Sequence, residues 1–190
     1  MNRAVFLDRD GVINRKPPEG EYVTRWEEIE FLPGVASAIA LLNEADFRIV
    51  VVTNQRCIAK GLVTAGEVEA IHERMCHEFT ENGATIDAVY YCPHEKQPPC
   101  ACRKPAPGML LAAARDHGID LTESWMIGDS DIDIAAGKSA GCKTACLIAG
   151  KLSPSVSADL ISNSLLDAAH KILQAEDLPQ HAATPNIASI

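Results

Sequence analysis

Near its start the chain reads AVFLDRDG (residues 4–11), an apolar run that ends in two carboxylates. A second apolar run with a polar end follows at residues 48–53, RIVVVT, and the residues between them have helical apolar spacing from Pro33-Gly34 onward. Strands that alternate with helices favour an α/β fold with a parallel sheet wound on both faces. In such folds ligands bind beyond the carboxyl ends of the strands. The polar residues that end each strand are therefore the first candidates for a functional site.

The same alternation continues along the chain. We predict further strands at residues 86–91, 125–128 and 143–148, and helices at 64–82, 105–117, 131–140 and 164–173. Thr64 and Glu67 have the spacing of a capping box at the start of the second helix. The segment 15–32, rich in Pro, Gly and charge, is predicted to be a long loop or small flap. The expected organisation is a single domain over residues 1–176, with a loose tail at 177–190.

Charge and composition exclude several classes of partner. The 190 residues carry a formal net charge of −9, and no cluster of Lys and Arg is longer than a pair. Nucleic acid and acidic membranes both require a concentrated basic face, so neither is expected as a partner, whereas a small phosphorylated metabolite needs only a few local cations. The first apolar run is too short for a signal peptide or a membrane span, which favours a cytoplasmic protein. A monomer is expected, because no helix has an apolar face beyond what the sheet requires.

Two carboxylates, Asp8 and Asp10, follow the first strand. They can converge on one divalent cation, which would offset the repulsion between Asp8 and an incoming phosphate and let this carboxylate act as a nucleophile. Asp10 could then protonate the leaving oxygen and later deprotonate water. The alternative is a simple polar turn, since Asp and Gly are common turn residues.

Two weaker signals lie after the second strand and before a later helix. Thr53, Asn54 and Gln55 offer a hydroxyl and backbone N–H groups that suit a phosphate, although a strand-ending turn would look the same. Arg103 and Lys104 form a basic pair that could neutralise a transferring phosphoryl group, or could be ordinary surface charge.

The fourth strand ends in Gly128-Asp129-Ser130-Asp131-Ile132-Asp133. This spacing fits the first three ligand positions of a calcium loop, but that loop needs Gly and Glu where this chain has Ile134 and Ala140, and so it is rejected. Acidic residues could also favour the dipole of the helix that follows. A magnesium ion shared between Asp129 and Asp8 is the better interpretation, because Mg²⁺ binds a few carboxylates together with water and phosphate.

A second constellation contains three cysteines and one histidine within eleven residues: Cys92, His94, Cys100 and Cys102. Three thiolates and one imidazole suit a closed tetrahedral zinc site, and a reducing compartment makes disulfides an unattractive alternative. The other reading is four unrelated residues in a proline-rich loop. Because Cys102 directly precedes Arg103 and Lys104, a closed zinc site would hold these cations steady. Zinc would be structural and magnesium catalytic.

Taken together, Asp8-x-Asp10, Thr53, Lys104 and Gly128-Asp129-x3-Asp133 resemble the motifs of the haloacid dehalogenase superfamily of phosphatases. Within it, FLDRDGVIN (6–14), VVTNQ…IAKG (51–61) and YYCPH…CACRKPAPGMLL (90–111) look like the D-glycero-D-manno-heptose 1,7-bisphosphate 7-phosphatases. The similarity covers residues 4 to 149.

This resemblance implies a Rossmann-like core with a minimal cap. It implies Asp8 as nucleophile, Asp10 as acid/base, and Thr53 and Lys104 on the phosphoryl group. Magnesium would bind Asp8, the main-chain carbonyl of Asp10, and Asp129; zinc would bind the Cys/His cluster. The implied substrate contacts come from the loop around Gly20–Val23, which includes Tyr22, from the turn Asn54, Gln55 and Arg56, and from Arg103.

The chain also departs from the family pattern. Cys57 stands where the family usually has Gly, and it would strain the loop if that position required a positive φ. The zinc loop is compact and also resembles that of histidinol-phosphate phosphatases, which is the alternative substrate assignment. A zinc-stabilised binding module without catalysis is a third hypothesis, although every catalytic motif is intact.

Overall fold

The computed structural model describes residues 2–148 and 157–177. The strands in this part of the chain are β1 (Arg3–Leu7), β2 (Phe47–Asn54), β3 (Ala88–Cys92), β4 (Trp125–Gly128), β5 (Lys143–Leu147) and β6 (Leu160–Ser162). The helices are α1 (Val35–Glu44), α2 (Ala65–Glu81), α3 (Gly108–His117), α4 (Asp131–Ala140) and α5 (Leu165–Asp177).

The six strands form one sheet in the order β3-β2-β1-β4-β5-β6, and every neighbouring pair is parallel. The strand order reverses between β1 and β4, since the chain runs outward from β1 in one direction and from β4 in the other. A crevice opens at such a switch point and is where ligands bind in sheets of this type. The predicted α/β fold is confirmed, and the reversal places the residues after β1 beside those after β4.

Alternation along the central strand explains why helices cover both faces. Val5 and Leu7 pack in a core cluster with α1, α2 and α5, whereas Ala4 and Phe6 pack with α3 and α4. Successive side chains of a strand point to opposite faces, and β1 is apolar at every position from Ala4 to Leu7. Both faces of the strand are therefore buried.

Most predicted elements are present with shifted ends. The predicted capping box is confirmed, because the Thr64 side chain accepts a hydrogen bond from the Glu67 backbone N–H and the Glu67 carboxylate accepts one in return. The third helix begins at Gly108 rather than Pro105, since the residue before a proline is disfavoured from helical geometry and Pro107 follows Ala106. The short strand β6 was missed, because three residues are too few to show a period.

The flap at residues 15–32 contains one 3-10 turn, Trp26–Glu28, and is anchored to the body of the protein. The ring of Trp26 lies 5.9 Å from that of Phe31 and 4.5 Å from the Arg74 guanidinium on α2. Of the predicted tail, only Asp177 is described, and it ends α5. None of the described helices combines the length and apolarity needed to cross a bilayer.

Candidate active site

A pocket of about 240 Å³ lies beyond the carboxyl ends of β1 and β2. Its lining includes ten residues of interest: Asp8, Asp10, Lys16, Gly20, Tyr22, Thr53, Asn54, Gln55, Arg103 and Lys104. All of these except Lys16 are among the predicted site residues. Arg56, a further predicted substrate contact, does not line the pocket and forms a two-point ion pair with Glu95.

Lys104 is a buried cation that lines this pocket. Its Nζ lies 2.8 Å from Asp8 Oδ1 and 2.6 Å from Asp133 Oδ1, and it donates to the Val52 carbonyl at 2.8 Å. The Asn54 side chain holds the Lys104 backbone at both its N–H (3.1 Å) and its carbonyl (3.2 Å). The structure therefore places Asn54 on Lys104, so that β2 fixes the lysine in front of Asp8.

The electrostatic state of this pair follows from its burial. Burial is the largest effect on Asp8 and raises its pKa to about 7, with Asp133 and Asp10 adding to the rise and Lys104 opposing it. For Lys104, burial acts to lower the pKa, but the charges of Asp133 and Asp8 outweigh it and the pKa is raised. The positively charged form of Lys104 is thus favoured beside Asp8.

Asp10 is held by a separate set of donors. The Arg9 guanidinium bonds both Asp10 oxygens, through Nη2 at 2.9 and 3.0 Å and through Nε at 3.1 Å. Asn14 donates to Oδ1 at 2.9 Å, and Gln55 Nε2 lies 3.4 Å from Oδ2. Burial would raise the pKa of Asp10, but the Arg9 charge and these hydrogen bonds outweigh it and lower the pKa.

Three carboxylates form a group that suits a divalent cation: Asp8, Asp129 and Asp133 each place an oxygen within 4.8 Å of the others. Such hard oxygen donors fit magnesium. Close approach of the chain here depends on Gly11, whose φ is +98° and where a Cβ would lie 2.5 Å from Asp129 Oδ2. The group contains Asp133 beside the predicted Asp8 and Asp129. The third predicted ligand is the main-chain carbonyl of Asp10, so the pairing of the Asp10 carboxylate with Arg9 does not bear on it.

The charges around the pocket favour an additional cation. Four carboxylates (Asp8, Asp10, Asp129 and Asp133) are contacted by three cations, Arg9, Lys16 and Lys104, while Arg103 lines the pocket without an ion pair to any of the four among the described contacts. Lys16 Nζ donates to both Asp129 oxygens, at 2.8 and 2.9 Å. A phosphate arriving here would lie beside these carboxylates, and a divalent ion would offset the repulsion between them.

The Cys/His cluster has the dimensions of a zinc site. The three sulfur–sulfur distances among Cys92, Cys100 and Cys102 are 3.3, 3.4 and 3.6 Å, and His94 Nδ1 lies 3.2 Å from Cys102 Sγ and 3.5 Å from Cys92 Sγ. A tetrahedron with Zn–S bonds of about 2.3 Å has sulfur–sulfur edges of about 3.8 Å. The sulfurs are too far apart for disulfides, and all three are free thiols. The donor set therefore fits zinc.

Cys57 does not strain the loop in which it stands. Among the described residues the only non-glycine with a positive φ is Asp46, so the condition under which Cys57 would strain the loop is not met. The side chain is fully buried with Val63 and Val68, and its thiol donates to Gln55 Oε1 at 3.5 Å. A small apolar thiol simply fills space under the turn.

Sequence reasoning missed four polar residues of the site. Arg9 was treated as a spacer and Asp133 only as part of a motif, while Lys16 and His72 were not considered. His72 is part of the buried stripe of α2 with Val68, Ile71, Met75 and Phe79, so the helical period would have identified it as buried. Lys16 lies in an irregular loop and had no such signal.

Burial of His72 predicts an acid-sensitive fold. Burial, followed by the Arg9 charge, lowers the pKa of His72 from 6.5 to about 3, with the Asp10 charge opposing. Between these values the unfolded chain binds a proton that the folded protein does not, so stability falls as the pH drops. From pH 6.5 to 5 this residue accounts for at most about 2 kcal/mol.

The measurement is urea unfolding at pH 6.5 and 5. We expect His72→Gln to lose less stability on acidification than the wild type, and His77→Gln, an exposed change on the same helix, to behave like the wild type. The same loss in His72→Gln and wild type would contradict the prediction.

Comparison with known proteins shows similarity over most of the chain. A family model described as HAD-hydrolase-like matches residues 101–169. The D-glycero-beta-D-manno-heptose-1,7-bisphosphate 7-phosphatase of Rhodopseudomonas palustris is 41% identical over 145 residues, covering 73% of this chain and 79% of that protein. The Haemophilus ducreyi protein of the same name is 38% identical over 176 residues, covering 87% of this chain and 95% of that protein.

Two solved structures are also similar to this chain over most of its length. The D,D-heptose 1,7-bisphosphate phosphatase of B. bronchiseptica, in complex with magnesium and phosphate, aligns with a TM-score of 0.80 at 34% identity, covering 91% of this chain and 99% of that chain. A Mesorhizobium loti protein assigned to the HAD-like phosphatases aligns with a TM-score of 0.77 at 32% identity, covering 90% of this chain and 87% of that chain. The likeness thus extends over about nine tenths of this chain in both structures.

Proposed function

The chain belongs to the D-glycero-β-D-manno-heptose-1,7-bisphosphate 7-phosphatase family of HAD-like hydrolases, and on this basis we propose that it removes the 7-phosphate of that heptose bisphosphate. The chain is a phosphatase. Its substrate and the catalytic roles of its residues are what we propose. The single observation that carries the roles is the placement of Asp8 at the switch point, paired with the buried Lys104 and next to Asp10.

Asp8 is the proposed nucleophile. Its Oδ1 accepts from the Arg9 backbone N–H at 2.8 Å and contacts Lys104, so we assign the attack to Oδ2. A bond forms between this oxygen and phosphorus as the bond from phosphorus to the sugar oxygen breaks. Lys104 and the buried Thr53 hydroxyl stabilise the transferring phosphoryl group, since both line the pocket beside Asp8.

Asp10 is the proposed acid and base. In its protonated form, which the Arg9 charge disfavours before substrate binds, it gives a proton to the departing sugar oxygen, and the sugar leaves as an alcohol. It then takes a proton from a water molecule, which attacks the phosphorus of the phospho-aspartate and releases inorganic phosphate. Asp8 returns as a carboxylate and Asp10 as an acid, so that the cycle closes.

We assign magnesium to Asp8, the Asp10 carbonyl and Asp129, and leave Asp133 to orient Lys104. When bound, the ion would supply charge neutralisation for the phosphate and the nucleophile. Asp133 suits the orienting role because it is fully buried, lies 2.6 Å from Lys104 Nζ and accepts from the Ser130 hydroxyl. Zinc is assigned to Cys92, His94, Cys100 and Cys102, a closed set without a free position for chemistry.

The proposed sugar contacts are Gly20, Tyr22, Gln55, Arg56 and Arg103. Four of them line the pocket, and Tyr22 is steadied by the Lys60 ammonium 5.1 Å from its ring. Arg103 Nη1 donates to the His94 carbonyl at 3.2 Å, which ties this guanidinium to the Cys/His loop. Arg56 would have to leave Glu95 to reach a substrate. A monomeric, cytoplasmic enzyme remains the expectation.

The substrate is tested by phosphate release with magnesium in excess. We expect kcat/KM for heptose 1,7-bisphosphate to exceed that for histidinol phosphate by at least about 100-fold, on the scale of one or two lost polar contacts. Arg103→Gln should reduce this preference, whereas Arg115→Gln, an exposed change on α3, should not. A preference for histidinol phosphate would overturn the substrate assignment and leave the chemistry of Asp8 intact.

Lys16 is expected to compete with magnesium. Its ammonium bonds both oxygens of the buried Asp129 carboxylate, so an ion that binds Asp129 must displace it. Because the Lys16 side chain is about half exposed (48%), the pair is screened and its loss should tighten magnesium binding only a few-fold.

Isothermal titration with magnesium alone checks this expectation. Lys16→Met should bind the ion more tightly than the wild type, and Lys138→Met, which removes the same charge from the exposed end of α4, should match the wild type. Unchanged or weaker binding in Lys16→Met would show that the lysine does not compete.

A further inference from the structure

Behind the pocket, two buried polar side chains have no part in the chemistry described so far. Arg9 is 1% exposed and His72 is 4% exposed. Arg9 lies between Asp8 and Asp10 beyond β1, whereas His72 comes from the inward face of α2, 63 residues along the chain. Arg9 Nη1 and His72 Nε2 are 3.1 Å apart.

The direction of this hydrogen bond follows from the groups involved. A guanidinium has only donors, so Nε2 of His72 must be the acceptor, and the proton of a neutral imidazole is on Nδ1. The low pKa of His72 agrees with a neutral ring, since burial and the Arg9 charge both oppose its protonation. The ring is also packed, with its centroid 5.8 Å from that of Tyr91 on β3. His72 is a fixed, neutral acceptor.

The remaining nitrogens of Arg9 all point to Asp10. Nε and Nη2 together make three contacts of 2.9 to 3.1 Å with the two carboxylate oxygens. Because His72 binds the planar guanidinium of Arg9 at Nη1, the guanidinium cannot rotate freely. Its contacts with both oxygens of Asp10 therefore fix the plane of that carboxylate. Asn14 and Gln55 each contact a single Asp10 oxygen, so neither sets that plane alone.

We propose that His72 is a positioning residue for the acid/base step, acting through Arg9 to hold the Asp10 carboxylate in line with the leaving oxygen. Without Nε2 of His72, a buried N–H donor of Arg9 would lack a partner. Because an unpaired buried donor is unfavourable in free energy, we expect the guanidinium to shift. Asp10 would shift with it. The inference rests on the proposed role of Asp10 and extends it to α2.

Leaving groups distinguish positioning from a general structural role. An alkyl phosphate needs protonation of a poor leaving oxygen, whereas p-nitrophenyl phosphate has a good leaving group and needs little help from an acid. The ratio of kcat/KM for the two substrates therefore reports the acid step. Because kcat/KM covers only the steps up to phosphoryl transfer to Asp8, later hydrolysis of the phospho-aspartate does not enter the ratio.

The variants are His72→Leu, which removes the acceptor, and His72→Gln, which keeps one. On the scale by which a positioned acid contributes, we expect His72→Leu to lose about 10-fold or more in kcat/KM on the best alkyl phosphate. The same variant should lose less than about 3-fold on p-nitrophenyl phosphate. His72→Gln should retain most of the activity on both substrates. His77→Gln is the control on the exposed face of α2. If His72→Leu does not fold, His72→Met is used in the same way.

Equal losses on the two substrates, or no loss on either, would overturn the role of His72. Asp10→Asn separates this from failure of the underlying mechanism, because it should depress the alkyl-to-aryl ratio most strongly. If Asp10→Asn leaves the ratio at the wild-type value, the proposed role of Asp10 is wrong and the inference falls with it. If Asp10→Asn lowers the ratio and His72→Leu does not, only the inference on His72 is wrong.

Discussion

The Asp8→Asn variant is expected to lose turnover by about 10⁴-fold or more while keeping its fold. A neutral amide cannot form the acyl phosphate, and loss of an essential nucleophile has effects on this scale. The structure gives no reason for unfolding, because an Asn oxygen can still accept from the Arg9 backbone N–H and Lys104 keeps its contact with Asp133. Removing one of several crowded carboxylates also relieves repulsion from Asp133 and Asp10.

The measurement is phosphate release under single-turnover conditions, together with thermal unfolding of each variant. Asp116→Asn is the matched control, since it makes the same chemical change on the exposed surface of α3 and should leave turnover unchanged. Acid-quenched wild-type enzyme should carry one added phosphoryl group on the peptide that contains Asp8, and the variant should carry none. Turnover above about 1% of wild type in Asp8→Asn would move the nucleophile to another residue.

Much of the fold follows from local patterns that the chain repeats. The continuous apolar run at residues 4–7 predicts a strand buried on both faces, and the two core clusters on either side of β1 confirm it. Thr64 and Glu67 fix a helix start by their own hydrogen bonds, so that this boundary is local information. The third helix was placed three residues early, because the restriction that Pro107 puts on Ala106 was overlooked.

Long-range partners of the site residues are not encoded locally in the same way. That Asp8 and Asp10 share a strand end could be predicted, but that one is held by Lys104 and the other by Arg9 depends on how α2 and the loop before α3 pack. Asn54 looked like a phosphate contact, yet it holds the Lys104 backbone from 50 residues away. Arg56 was expected on the substrate and pairs with Glu95. Except for Arg9, which is next to Asp10 in the chain, the partner comes from another element, and a single sequence has no signal for that pairing.

Removal of zinc is expected to reduce kcat about 100-fold even with magnesium in excess. Cys102 is two residues from Lys104, whose Nζ makes three contacts of 2.6 to 2.8 Å with Asp8, Asp133 and the Val52 carbonyl. A closed metal site fixes the loop from which this lysine projects, and a displacement of about 1 Å at a catalytic group can cost about 100-fold. The Arg103 contact with the His94 carbonyl, which lies inside the same loop, would loosen as well.

Cys100→Ser tests this without a chelator, and Cys76→Ser is the control, since Cys76 is a half-buried thiol on α2 outside the cluster. Metal analysis should find one zinc per chain in the wild type and in Cys76→Ser, and a large deficit in Cys100→Ser. Thermal unfolding should shift down in the deficient protein, because binding energy of a structural zinc is also folding energy. KM should rise, because Arg103 would no longer be held by the His94 carbonyl in position to contact the substrate. Verified loss of zinc with wild-type kcat and an unchanged melting temperature would show that the loop before α3 holds Lys104 without a metal.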